Sequence, residues 1–275
     1  MSPDPSPLAL IENWDAPHAA AAVISRTGVL ATHGDTDRVF RVASVTKLVA
    51  AYAAHVAIEE GAIALSNPAG PPGATVRHLL CHASGLDFDS DRVLAPPESR
   101  RIYSNTGYDR LATHLSDRAG IAVDEYLDEA VLGPLAMVST TLDGSAAKDL
   151  VSTVGDMGRF VAEMLAPALL DPGTWAAATT PQFPALSGVL PGWGQQEPNP
   201  WGLGPELRGA KSPHWTGATA PPTTYGHFGG SGTFVWVDPV AGLACIVLTD
   251  RPFDDWALRA WPDFSDLVRR HFATR

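Results

Sequence analysis

The sequence predicts an α+β fold, an α/β sandwich whose antiparallel sheet is built from both termini, flanked by helices, with a mainly helical subdomain inserted between the halves. Three observations carry this. Short β-rich runs with turn signals lie near both ends, helical periodicity fills the middle, and the chain closes on an amphipathic helix. At 275 residues it can bury a substantial core. Because the end strands must pair with each other, one interlocked domain (1–275) is expected, with sheet parts 1–42 and 185–275 and a helical part 43–184.

In chain order, "AAVISRTGVLATHG" reads as a hairpin around a Gly28 turn. A helix follows from about Ser44. The Pro/Gly-rich "SNPAGPPGAT" is a connector into a short helix, "VRHLLCHA". Helical spacing returns in "NTGYDRLATHLSDRAG", ending at Gly120, in "VDEYLDEAVLGPLAM", stopped by Gly133-Pro134, and in "STVGDMGRFVAEMLAP". After about residue 185 the chain turns rich in Gly, Pro and Trp. "GTFVWVDPVAGLACIVLTD" then reads as two strands joined at Asp238–Gly242, with His227 and Gly229 expected at the start of the first. Trp261, Phe264, Val268 and Phe272 mark the apolar stripe of the last helix.

A net charge of −11 argues against nucleic acid or an anionic membrane as partner, because no Lys/Arg cluster exists to neutralise phosphates. Arg100-Arg101 and Arg269-Arg270 read as solvated surface pairs. No stretch approaches the ~20 consecutive apolar residues of a membrane helix, and the amino terminus lacks an export signal's pattern, so a cytoplasmic protein is expected. Cys81 and Cys245 sit in apolar runs, which predicts buried, reduced thiols.

Lys47 stands out: it is one of three lysines and is set into the first turn of the most apolar helix. A snorkelling side chain is one reading. The other is chemical. Ser44 lies three residues earlier, on the same face one turn away. A lysine kept partly neutral by burial would draw the proton from Ser44 and make it a nucleophile, and free N–H groups at a helix start suit a developing oxyanion. "YSNTGY" and "HFGGSGT" supply further polar groups in Tyr103, Asn105 and His227.

Together, Ser44-Val45-Thr46-Lys47, Tyr103-Ser104-Asn105 and His227-Phe228-Gly229 resemble the three signature elements of the serine β-lactamase and penicillin-binding-protein superfamily. The branch is that of class C β-lactamases, D,D-peptidases and related carboxylesterases, and the likeness covers most of residues 20–255 in order. The resemblance implies a β-lactamase/transpeptidase-like fold and an acyl-enzyme on Ser44. It implies that Lys47 and Tyr103 share the proton traffic, with Tyr103 returning a proton to the leaving group. Asn105, His227, Phe228 and Gly229 would contact substrate, and the backbone N–H groups of Ser44 and Gly230 would form the oxyanion hole. No cofactor and no metal are implied. Alternatives stay open: Asn105 as a helix cap, Tyr103 as an ordinary half-buried aromatic, and the glycines as turn residues.

The chain departs from the family at its third element, which usually begins with Lys and carries a hydroxyl in the middle. His227 keeps a proton donor near the site, whereas Phe228 removes a hydroxyl that helps hold a carboxylate; Arg251 is the one nearby cation to replace it. The spacer between "HASGL" and "YSN" is short, predicting a more open cleft. These points favour a small neutral ester or amide over a D,D-peptidase or weak β-lactamase activity, or over a relative that binds a ligand without turnover. No residue marks the base for deacylation. His78, Cys81 and His82 share one helical face but lack a fourth metal ligand. Trp193, Trp201 and Trp215 either line an acyl or leaving-group pocket or anchor an irregular loop.

Overall fold

The computed structural model describes residues 6–273; residues 1–5, the start of the stretch read for an export signal, lie outside them. A 3-10 helix (Pro7–Trp14) leads into β1 (Ala19–Ser25), β2 (Gly28–His33) and the short β3 (Phe40–Arg41). Next come α1 (Thr46–Glu59), α2 (Val76–Leu80), α3 (Asn105–Ala119) and α4 (Val123–Leu127), which widens into π-type turns at Asp128–Leu132 where one continuous helix is predicted. Short strands β4 (Thr141–Leu142) and β5 (Leu150–Ser152) precede α5 (Val154–Leu165) and α6 (Pro172–Ala178). The remainder is β6 (Gly188–Leu190), β7 (Gly194–Gln196), β8 (Glu206–Leu207), β9 (Tyr225–Gly229), β10 (Thr233–Asp238), β11 (Leu243–Thr249) and α7 (Asp255–Phe272).

The main sheet runs β2-β1-β11-β10-β9-β8, antiparallel throughout. The termini meet where β1 pairs with β11, from Ala19↔Thr249 to Ser25↔Leu243. His227–Gly229 do not open the first strand of the late hairpin. They form the end of a separate strand, β9, which turns at Gly230–Gly232 into β10.

Alternation along the strands feeds two cores, one on each face. Ala21, Val23, Phe234, Trp236, Cys245 and Val247 pack against the 3-10 helix and the predicted stripe of α7. Val235, Val237, Ala244, Ile246 and Leu248 pack against α1, α5 and the remaining helices. A sheet covered on both faces needs apolar residues at every position, which is why β10 and β11 are buried along their whole length. α1 is apolar all round for the same reason, being buried along most of its length. Both cysteines are buried free thiols. Among the described residues, no helix is long and apolar enough to cross a membrane.

Two arginines read as solvated are buried. Arg101 donates to the carbonyls of Cys81, Gln182, Phe183 and Asn199. Arg269 is held by Thr216 O, Thr219 Oγ1 and Asp266 and faces Asp238. The Gly/Pro/Trp-rich stretch is pinned by a buried ionic cluster on β8, where Glu206 meets Lys211, His214 Nε2 (2.9 Å) and Trp215 Nε1 (2.8 Å).

Candidate active site

Ser44 sits in a 3-10 turn, Ala43–Val45, that runs into α1. Such a position exposes backbone N–H groups with no intrahelical acceptor. Ala43 adopts a left-handed backbone, φ 47°, which costs a non-glycine residue about 1–2 kcal/mol. The strain therefore lies directly before the serine, as is common at functional sites.

Lys47 does not snorkel. It is fully buried, and its ammonium donates to Asn105 Oδ1 (2.7 Å), Ala147 O (2.9 Å) and Ser44 Oγ (3.5 Å). All three acceptors are uncharged. Burial pushes its pKa down to about 7; Lys148 adds to the fall, while Asp109 and Asp89 oppose it.

The Tyr103 ring lies 4.7 Å from Lys47 Nζ. Burial raises the phenol well above its ordinary value, and the neighbouring Ser44 hydroxyl opposes the rise. The phenol is thus protonated at neutral pH. Asn105 is not the helix cap. Ser104 is, accepting the Gly107 N–H at 2.9 Å. The Asn105 amide instead bridges the buried Lys47 and the exposed Asp89, donating to Asp89 Oδ1 at 3.2 Å.

His227 is buried, and Nδ1 donates to Phe228 O at 2.7 Å. That bond leaves Nε2 as an acceptor without a partner, so the expected proton donor is absent. Burial, with Lys47 adding, pushes its pKa down to about 3. Phe228 packs on Trp193 and Phe253, at 5.4 and 5.2 Å between ring centroids. Gly229 permits close approach: a Cβ there would lie 2.5 Å from Val42 O. Ser231 Oγ and Thr233 Oγ1 then fasten the turn by bonds to Arg41 O (2.7 Å) and Val42 O (2.9 Å). Ser44 and Gly230 are thereby brought to one pocket.

That pocket is about 150 Å³ and almost wholly apolar, walled by Leu190, Pro191, Trp201, Phe228, Phe253 and Phe88, with Ser44, Tyr103 and His227 as its polar side chains. No Lys, Arg, Asp or Glu lines it among the described residues. A second groove of about 520 Å³ continues from Tyr103, Phe88 and Pro191 past Arg100 and Gln195. The short spacer supplies Phe88, half-exposed, to the wall of both cavities. Arg251 points elsewhere, bonded to Trp14 O and lying 5.0 Å from the Trp256 ring. Of the three tryptophans only Trp201 lines the pocket, while Trp193 and Trp215 belong to the core behind it. His78 is engaged by Thr75 and Glu98, and His82 by the Ser104 N–H, so the face read for metal ligation is dispersed. Sequence reasoning missed Ala147 O, Leu190, Pro191 and Phe253, which arrive from distant segments and carry no motif.

A beta-lactamase family model matches residues 9–268. The crystal structure of a beta-lactamase from Mycobacterium bovis is 54% identical, with TM-score 0.96 over 98% of this chain and 100% of that one. The fold is shared with EstCE1, a hydrolase with promiscuous acyltransferase activity, at 18% identity and TM-score 0.78 over 94% of this chain and 95% of that one. The D-alanyl-D-alanine-carboxypeptidase/endopeptidase AmpH of Escherichia coli is 26% identical over 142 residues, 38% of this chain; the chain spans 37% of that relative's length. A match from residue 9 to residue 268, around a Ser-x-x-Lys pair whose lysine is buried beneath the serine's pocket, places the chain in the beta-lactamase family.

Proposed function

We propose that this chain is a serine hydrolase that forms an acyl-enzyme on Ser44 and hydrolyses small, neutral esters or amides. The observation that carries the substrate class is the pocket over Ser44, which is benzene-sized, apolar and without a cation. A carboxylate there would be desolvated without a partner. The acyl group fits this pocket, and the leaving group extends into the larger groove.

In this reading Lys47, about half neutral near pH 7, accepts the Ser44 proton as Oγ attacks the carbonyl carbon. The developing oxyanion is met by the backbone N–H groups of Ser44 and Gly230. Tyr103 gives its proton to the departing alkoxide or amine as the C–O or C–N bond breaks, and is reprotonated from Lys47. Water then attacks the acyl-enzyme and releases the acid. Asn105 fixes the amine through its Oδ1.

The name of the M. bovis relative favours a second substrate, a β-lactam. Intact mass spectrometry after exposure to an activated phosphonate, a penicillin and an aryl ester separates the two, with Ser44→Ala as control. Adduction at Ser44 by phosphonate, with turnover of short esters, supports the proposal. Untouched short esters alongside trimming of peptides ending in D-Ala-D-Ala, or hydrolysis of penicillin alone, overturns the substrate class. Labelling that survives in Ser44→Ala overturns the nucleophile.

A further inference from the structure

His82 belongs to none of the three signature elements, yet it touches two consecutive residues of the second one, Tyr103 and Ser104. Its backbone is left-handed, φ 57°, which is unusual for a residue other than glycine. The side chain is buried. That conformation sends two acceptors of one residue to the same short segment. The His82 carbonyl accepts the Ile102 N–H at 3.0 Å. Its ring Nδ1 accepts the Ser104 N–H at 3.2 Å. Tyr103 is the residue between them, and the His82 ring lies against it at 4.6 Å, the shortest ring contact that Tyr103 makes.

We propose that His82 is the positioning residue for Tyr103, holding the peptide on either side of it and the face of its ring so that the phenol meets Ser44. The proposal rests on the reading of Ser44 as nucleophile and Tyr103 as proton donor. It requires a neutral imidazole with the proton on Nε2, because a protonated Nδ1 would point at the Ser104 N–H. Burial keeps the ring neutral at physiological pH. The neighbours hold the same geometry from behind: Trp201 packs edge-on at 4.9 Å and Tyr108 at 5.3 Å. Ser104 Oγ, its own cap duty aside, donates to Asp87 O at 2.6 Å.

The experiment compares His82→Ala, His82→Asn and Tyr103→Phe, singly and as the double variants with Tyr103→Phe. Phosphonate labelling rates at Ser44 and kcat and KM for a short aryl ester are the readouts, with unfolding midpoints to show that each protein is folded. Asparagine tolerates positive φ, and its Oδ1 stands where Nδ1 stands, so it restores the acceptor without the ring. Expected are a fall of about 30-fold or more in kcat for His82→Ala with KM within about threefold, since the lost geometry acts on proton transfer. His82→Asn should stay within tenfold of wild type, and His82→Ala should add less than about threefold in the Tyr103→Phe background. Losses that multiply fully in the double variant overturn the proposal, as does an alanine variant as active as wild type. Should the alanine variant not fold, the asparagine variant decides alone: a loss of kcat beyond tenfold in folded protein is the overturning result. Labelling unchanged by Ser44→Ala instead removes the hydrolase reading itself, and this proposal with it.

Discussion

Replacing Lys47 by methionine separates the cost of burying a charge from everything else in the protein. The lysine is fully buried and its pKa falls from 10.5 to about 7. The unfolded chain therefore binds more protons than the folded one between these values, so wild-type stability rises with pH through that window. Below about pH 7 the penalty is fully present, on the order of 5 kcal/mol; it is about 4 kcal/mol at pH 7 and about 2 kcal/mol at pH 9. Methionine removes the penalty but leaves Asn105 Oδ1 and Ala147 O without their donor, at about 1–3 kcal/mol each. At neutral pH the two effects are of the same size, and the net change is small.

The pH dependence is the clean observable. Urea unfolding of both proteins from pH 6 to pH 9 should show wild type gaining about 2 kcal/mol on the variant between pH 7 and pH 9. Titrations not coupled to Lys47 cancel in the difference. The same variant should lose on the order of 10²–10⁴ in kcat, and the wild-type rate should climb through about pH 7 as the amine becomes neutral. A stability difference that stays flat from pH 7 to pH 9 would refute the claim that the fold holds a titrating amine at position 47.

Lys148→Ala removes a neighbouring positive charge that lowers the Lys47 pKa; the rise in rate should move to higher pH by a few tenths, and salt should shrink the shift, as a pH–rate series at two ionic strengths reads directly. Phe88→Ala removes a half-exposed wall of the pocket, so discrimination against octanoyl relative to butyryl aryl esters should relax by about tenfold in kcat/KM. Gly229→Ala forces a Cβ to 2.5 Å from Val42 O and should both lower the unfolding midpoint and abolish Ser44 labelling, whereas Gly230→Ala meets nothing within 4 Å and should leave stability within about 0.5 kcal/mol. Lys211→Met takes the cation from the buried carboxylate of Glu206, leaving it His214 and Trp215 as donors, and should cost about 3 kcal/mol in urea unfolding at pH 7.

Much of the fold was legible because it is written in local periodicity. The two hairpins, the end helix and the helices of the middle part each carry their own apolar spacing and caps. α6 was missed although Asp171 caps it and Pro172 opens it, because seven residues give periodicity too little length. β8 is only two residues long and exists through its pairing with β9. The site was legible wherever spacing along one element sets it, as with Ser44 and Lys47. It was illegible where the partner comes from afar. Arg101 was misread because its burial depends on carbonyls of Cys81, Gln182, Phe183 and Asn199, which no spacing near residue 101 announces.

In the folded chain Lys47 and Lys211 are set apart by their partners. Lys47 and Lys211 are both buried. Lys211 touches the carboxylate of Glu206, which also accepts from His214 and Trp215. Burial works to raise Glu206, but Lys211 and His214 outweigh it and hold it well below the usual carboxylate range. Burial lowers Lys211 too, but Glu206 opposes the fall, and their contact fastens β8 in place. Lys47 is given only an amide oxygen, a peptide carbonyl and a hydroxyl. Neutral acceptors stabilise an ammonium less than a carboxylate does, so burial prevails and the Lys47 pKa falls to about 7. Moving a carboxylate into contact with Lys47, by Asn105→Asp, would therefore keep the charge on the lysine and lower kcat in a steady-state ester assay while preserving the lysine's hydrogen bond, although the amide's bond to Asp89 is lost.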